Sequence, residues 1–113
     1  IHPCVIGEKT VIRQNCIIGP NVIIGDNVFI DNNTVLKNSV IYNETYISKH
    51  VEIEKAIISD NCVIGDNARL KGIEDKLILL SSYVKVMKDV EIINNFNNPF
   101  SVCHHEIVSE SVK

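Results

Sequence analysis

A chain of 113 residues, 45% of them hydrophobic and with a net charge of -3, has the length of a single domain. Its 11 Lys and Arg are scattered among 14 Asp and Glu. No basic stripe therefore tracks a phosphate backbone, and nucleic acid is set aside as a partner. No aliphatic run approaches the roughly 20 residues of a membrane-spanning helix, and no signal-peptide pattern opens the chain, so neither a membrane nor an export route is expected. The start at Ile1, without Met, suggests a piece of something longer.

In chain order, an Ile or Leu recurs about every six residues: Ile1, Ile6, Ile12, Ile18, Ile24, Ile30, Leu36, Ile41, Ile47, Ile53, Ile58, Ile64 and Leu70. Small or β-branched residues stand four places after each start, from Val5, Thr10 and Cys16 to Ile57, Cys62 and Ala68, and are expected to form a second inward row. Gly7, Gly19, Gly25 and Gly65 directly follow a start, and Asn15, Asn21, Asn27, Asn33, Asn61 and Asn67 stand at the next turn position. β-branched residues favour extended backbone, while Gly and Asn tolerate the positive φ of a sharp corner. A six-residue period suits neither a helix nor a long alternating strand. It predicts a parallel β-helix, three short sides to a coil, with like residues stacked at the ~4.8 Å strand spacing.

The repeat slips in one place only. Every third start (Ile1, Ile18, Leu36, Ile53, Leu70) falls 17, 18, 17 and 17 residues after the last, and the five-residue sides begin at Ile1, Leu36 and Ile53. One side of the prism is systematically short, which fixes a coil of 17–18 residues. After Leu70 a polar stretch, 71–76, reads as a small loop, and the rhythm resumes at Leu80, Val86 and Ile92, with Val84 and Val90 in the second row. The expected architecture is all-β, about five coils over 1–95 and an irregular C-terminal cap over 96–113, where Phe96, Phe100, Val102, Ile107 and Val108 would cover the open end. The four cysteines form no CxxC pair; Cys16 and Cys62 fall at inward positions, where a thiol acts as a small hydrophobe. That fits a reducing cytosol. The sequons Asn32-Asn33-Thr34 and Asn43-Glu44-Thr45 are weak evidence without secretory context.

The phrases IIGPNVIIGDNVFI and CVIGDNARL resemble the hexapeptide-repeat, left-handed β-helix pattern, strongly over 1–70 and weakly over 80–92. The left-handed sense is implied by that resemblance, since parallel crossovers are otherwise almost always right-handed. Hexapeptide acyltransferases and sugar nucleotidyltransferases share the pattern. The short side, with IHPCVIGEKTVI, LKNSVIYNETYI and IEKAIISDNCVIGDNARL, is similar to the C-terminal domains of glucose-1-phosphate and mannose-1-phosphate nucleotidyltransferases. The resemblance implies a non-catalytic tail behind an N-terminal nucleotidyl-transfer domain that uses Mg and a nucleoside triphosphate. The tail's own implied roles are homo-oligomerisation, stabilisation or allosteric regulation, with no cofactor in this segment.

Several residues are weighed against a bland reading. His50, at an outward corner, is the general base of the alternative, a CoA-dependent acyltransferase using acetyl-CoA; otherwise it is an ordinary exposed corner residue. His2, in the opening IHP, is read as structural, with Pro3 setting the first corner. Cys103-His104-His105 lacks the second ligand pair that tetrahedral zinc wants, so no metal is assigned. Tyr42, Tyr46 and Tyr83 are candidates for an outer contact surface, because exposed aromatics are enriched at interfaces. Six residues at 71–76 are too few for a lid, and a tolerated insertion is the preferred reading. A third possibility is a structural β-helix subunit of a larger complex.

Overall fold

The computed structural model describes residues 4–72, 78–93, 100–102 and 107–108. Among them every strand is two or three residues long and every pairing is parallel. Three sheets form the sides of a prism. Sheet A stacks Cys4–Ile6, Val22–Ile24, Val40–Ile41, Ala56–Ile58, Ile78–Leu80 and Phe100–Val102. Sheet B stacks Val11–Ile12, Phe29–Ile30, Tyr46–Ile47, Val63–Ile64, Lys85–Val86 and Ile107–Val108. Sheet C stacks Ile17–Ile18, Val35–Lys37, Glu52–Glu54, Arg69–Lys71 and Glu91–Ile93. The chain visits A, B and C in turn, so each strand pairs with its counterpart one coil on.

The aliphatic starts fill the axis. Ile24, Ile30, Leu36, Ile41, Ile47, Ile53, Ile58, Ile64 and Leu70 are at most 1% exposed, and Leu80, Val86 and Ile92 continue the column in a fifth coil. Among the described residues the first coil has a neighbouring coil on one side: Ile6 is 48% exposed, and Ile12 and Ile18 are half-buried. Within 96–113, Phe100–Val102 extends sheet A and Ile107–Val108 extends sheet B. Phe96 and most of the 71–76 loop lie outside the described residues, as do His2, Pro3 and Cys103-His104-His105.

The second inward row needs a correction on the short sides. Counting four forward from Ile1, Leu36 and Ile53 selects Val5, Val40 and Ile57, yet Val5 is 62% exposed and Val40 and Ile57 are only half-buried. Ser39 and Ala56 point inward instead, at 2% and 0% exposure. The missing residue is taken from the corner, not from the strand. Side chains alternate across a strand, so the inward partner is always two before the next start. Ser39 Oγ accordingly donates to Lys37 O (2.7 Å) and accepts from Ala56 N–H (3.3 Å), which satisfies a buried hydroxyl. Thr34 and Thr45 donate to the Ser48 and Ser59 carbonyls, at 2.9 and 3.0 Å, for the same reason.

The corners divide their work between asparagine and glycine differently from expectation. The six turn asparagines hold φ between 57° and 62°, as their position requires, and Asn38 (49°) and Lys55 (54°) supply the single left-handed residue of the short corners. Among the described glycines only Gly19 has positive φ (114°). Gly65 is needed for close approach: a Cβ there would lie 2.5 Å from Lys88 N and 2.8 Å from Met87 C in the next coil.

Cys62 is buried, and its Sγ lies 3.1 Å from the Ser81 carbonyl. Burial pushes its thiol above the ordinary 9.0, against backbone hydrogen bonds around Val84 and Tyr83 that pull the other way. The raised folded value means full stabilisation below the unfolded thiol's value and loss as pH rises through the folded one. Stability measured from pH 8 to 11 is expected to fall less steeply in Cys62→Ala than in the parent (about one thiol's contribution). Equal slopes would mean that the thiol ionises as readily in the fold as outside it.

Candidate functional site

Among the described residues the interior is filled by side chains from the second coil on, which leaves the outward faces, the corners and the ends of the prism to meet a ligand or partner. Each strand offers an outward position immediately before an aliphatic start, and the three-residue strands of sheet C offer a second one immediately after it. On sheet C the positions before the starts become charged along the axis: Ile17, Val35, Glu52, Arg69 and Glu91. Arg69 Nη1 donates to Glu91 Oε2 at 3.0 Å, Arg69 Nε lies 3.7 Å from Glu52 Oε1, and Lys71 Nζ lies 3.4 Å from the same oxygen. The adjoining cleft, about 90 Å³, is lined by Val35, Lys37, Glu52, Ile53, Glu54 and Lys71. Its two lysines are matched by two glutamates, so it has no excess charge with which to hold a phosphate. The ion pairs are a third or more exposed on most members and contribute little each.

The corner between sheets A and B is a ladder of side-chain acceptors. Asp26 Oδ1 accepts the Glu8 N–H (2.8 Å), Asn43 Oδ1 the Asp26 N–H (2.8 Å), and Asp60 Oδ1 the Asn43 N–H (3.1 Å). One oxygen of each of these side chains is committed to tying successive coils together. Among the described residues, no group of three or more His, Cys, Asp or Glu side chains is placed to hold a metal ion. No helix of the described residues is long and apolar enough to cross a membrane.

His50 sits at the corner between sheets B and C, exposed, with φ 59° and its backbone N–H donating to Asn32 O at 3.0 Å. Its corner position and outward direction match the sequence expectation. The residues at the same corner of neighbouring coils are Asn33 and Asn67, both also at positive φ. The three tyrosines are all on the outside of the prism. Tyr42 (48% exposed) and Tyr83 (51%) lie along the ridge between sheets A and B, two coils apart, whereas Tyr46 is on sheet B. There its ring stacks on Phe29, with centroids 5.0 Å apart and planes 11° from parallel.

Sequence reasoning misread the outward row of sheet A: it set Val5, Val40 and Ile57 in the inward row and left Ile23 and Leu79 unremarked. Val5, Ile23, Val40, Ile57 and Leu79 stand in register on successive coils, without a polar side chain among them. The signal was present: each residue immediately precedes a start on this side, Ile6, Ile24, Ile41, Ile58 or Leu80. It was missed because a count of four from each start does not tell the outward from the inward residue on a five-residue side.

The three stacked parallel sheets, the buried aliphatic column and the left-handed asparagine corners define a left-handed β-helix of the hexapeptide-repeat kind, the domain that sugar nucleotidyltransferases carry. The chain belongs to the family described as the GMPPB C-terminal domain, whose model matches residues 1–113. No curated protein matches the chain. Among solved structures it is similar to a proposed acetyltransferase from Desulfovibrio desulfuricans G20, with a TM-score of 0.64 and 21% identity. That match covers 97% of this chain and 24% of the other, so the chain spans about a quarter of its length. It is also similar to a proposed acetyltransferase from Bacillus cereus, with a TM-score of 0.56, 16% identity, and 95% and 75% of the two chains covered. At these identities the likeness is one of fold.

Proposed function

We propose that this domain is the non-catalytic C-terminal part of a sugar-1-phosphate nucleotidyltransferase and serves that enzyme's assembly and stability. The observation that carries the reading is the match of all 113 residues to the GMPPB C-terminal domain. The faces described above support it: one oxygen each of the corner carboxylates Asp26 and Asp60 is tied up in a coil-to-coil hydrogen bond, and the charged cleft is internally neutralised. Mg²⁺ and the nucleoside triphosphate belong, in this reading, to a preceding nucleotidyl-transfer domain. The domain acts there by fixing that partner and by bringing copies together.

The test compares the intact protein with a form lacking this domain. The intact protein is expected to form a nucleoside diphosphate sugar from a sugar 1-phosphate and a nucleoside triphosphate. The shortened form is expected to lose oligomeric mass and thermal stability. Unchanged mass and unfolding temperature would remove the assembly role. The acyltransferase reading replaces this one if residues 1–113 alone consume acetyl-CoA and His50→Ala abolishes that activity.

A further inference from the structure

We propose that the outward face of sheet A is the contact surface of a homodimer, two copies packing face to face with their coil axes parallel. This rests on the assembly role above and assigns it a face and a symmetry.

Over its first five strands the face carries one aliphatic side chain per coil, Val5, Ile23, Val40, Ile57 and Leu79, in strict register, with Ser101 next in register on the sixth. Val5 is 62% and Ile23 50% exposed. The equivalent positions on sheet C are Glu52, Arg69 and Glu91 in the last three coils, and on sheet B Lys85 interrupts the row. Only sheet A keeps an unbroken apolar row through all five, and such a row is driven out of water.

The occupant is argued from pitch, charge and area. A row of side chains spaced at ~4.8 Å is matched residue for residue by another row of the same pitch, which a second copy supplies at about the separation of packed sheets, ~10 Å. The margins of the face are polar, Asn21, Asn38 and Lys55 before the strands and Tyr42, Ser59 and Asp60 after them, which gives an apolar centre inside a polar rim. A two-fold axis along the coil direction places each stripe residue opposite its own counterpart and Lys55 opposite the partner's Asp60. With antiparallel axes Lys55 would meet the partner's Asn21 and the charge match is lost. The molecule measures 33 × 25 × 22 Å. A face of five coils covers on the order of 500 Å² per copy, about 1,000 Å² in all, at the lower edge of specific interfaces, so the dimer is held at micromolar strength rather than permanently.

The intact protein is tested by sedimentation velocity across a concentration series. Ile57→Glu, which sets two carboxylates against each other at the two-fold axis, is expected to weaken self-association by roughly 100-fold or more. Val63→Glu on sheet B leaves association unchanged, and thermal unfolding of both variants checks that they fold. Ile57→Cys treated with a short bis-maleimide gives a covalent dimer absent from the unsubstituted protein. Cross-linking only in a mixture of Ile23→Cys and Ile57→Cys overturns the parallel arrangement. An oligomer indifferent to Ile57→Glu overturns the face while leaving the assembly role standing; a protein monomeric throughout overturns both.

Discussion

Ile47→Ala is expected to lower the free energy of unfolding by about 3–4 kcal/mol, read from the urea midpoint at constant slope. The side chain is 0% exposed and stacks between Ile30 and Ile64 in the adjacent coils. Its removal leaves a cavity that neighbours cannot fill, because each is pinned in its own strand by the ladder above and below. Truncating Val63, one residue before a start and 37% exposed, is expected to cost less than about 1 kcal/mol. A solenoid is held by contacts between neighbouring coils, so a mid-stack deletion weakens two interfaces, whereas Ile12→Ala in the first coil weakens one. Similar losses at Ile47 and Val63 would show that the axial column is not what holds the coils together.

The second large effect concerns the short side of the prism. Inserting one Gly after Lys55 lengthens a corner that holds a single left-handed residue into the longer kind found on the other sides. The strand Ala56–Ile58 keeps its alternation, and the expected change in stability is within about 1 kcal/mol. Inserting the same Gly after Ile57 leaves Ile58 in place but moves Ile57 into the inward site that Ala56 occupies at 0% exposure. A site sized for a methyl group then receives a branched side chain, at a cost of about 2–4 kcal/mol. Thermal unfolding of the two insertions compares them directly; equal effects would contradict the assignment of the slip to the corner.

These two experiments also mark what could be read from the residues. From Ile24 to Leu70 the starts gave the axial column correctly because burial of aliphatic side chains is the largest periodic demand on such a chain. The asparagine corners were legible because few residue types adopt positive φ without strain. The second row was misassigned at Val5, Val40 and Ile57, because a five-residue side can lose its residue from strand or corner and spacing alone does not say which. Glycine was assigned to backbone conformation where the next coil's backbone was the constraint, as at Gly65. That contact joins residues more than twenty positions apart and has no local signature.

The surfaces divide along the same line. His50 and the tyrosines were singled out for their chemistry, and the fold puts Tyr42 and Tyr83 on the ridge between sheets A and B and Tyr46 on sheet B. The aliphatic row of sheet A, built from unremarkable residues, acquires meaning only when five coils are stacked in register. The sequence by itself determined the coil, its short side and the family, because each is written in spacing along the chain. Only the tertiary structure decided which side chains share a face, because residues seventeen or more positions apart become neighbours through hydrogen bonds between coils.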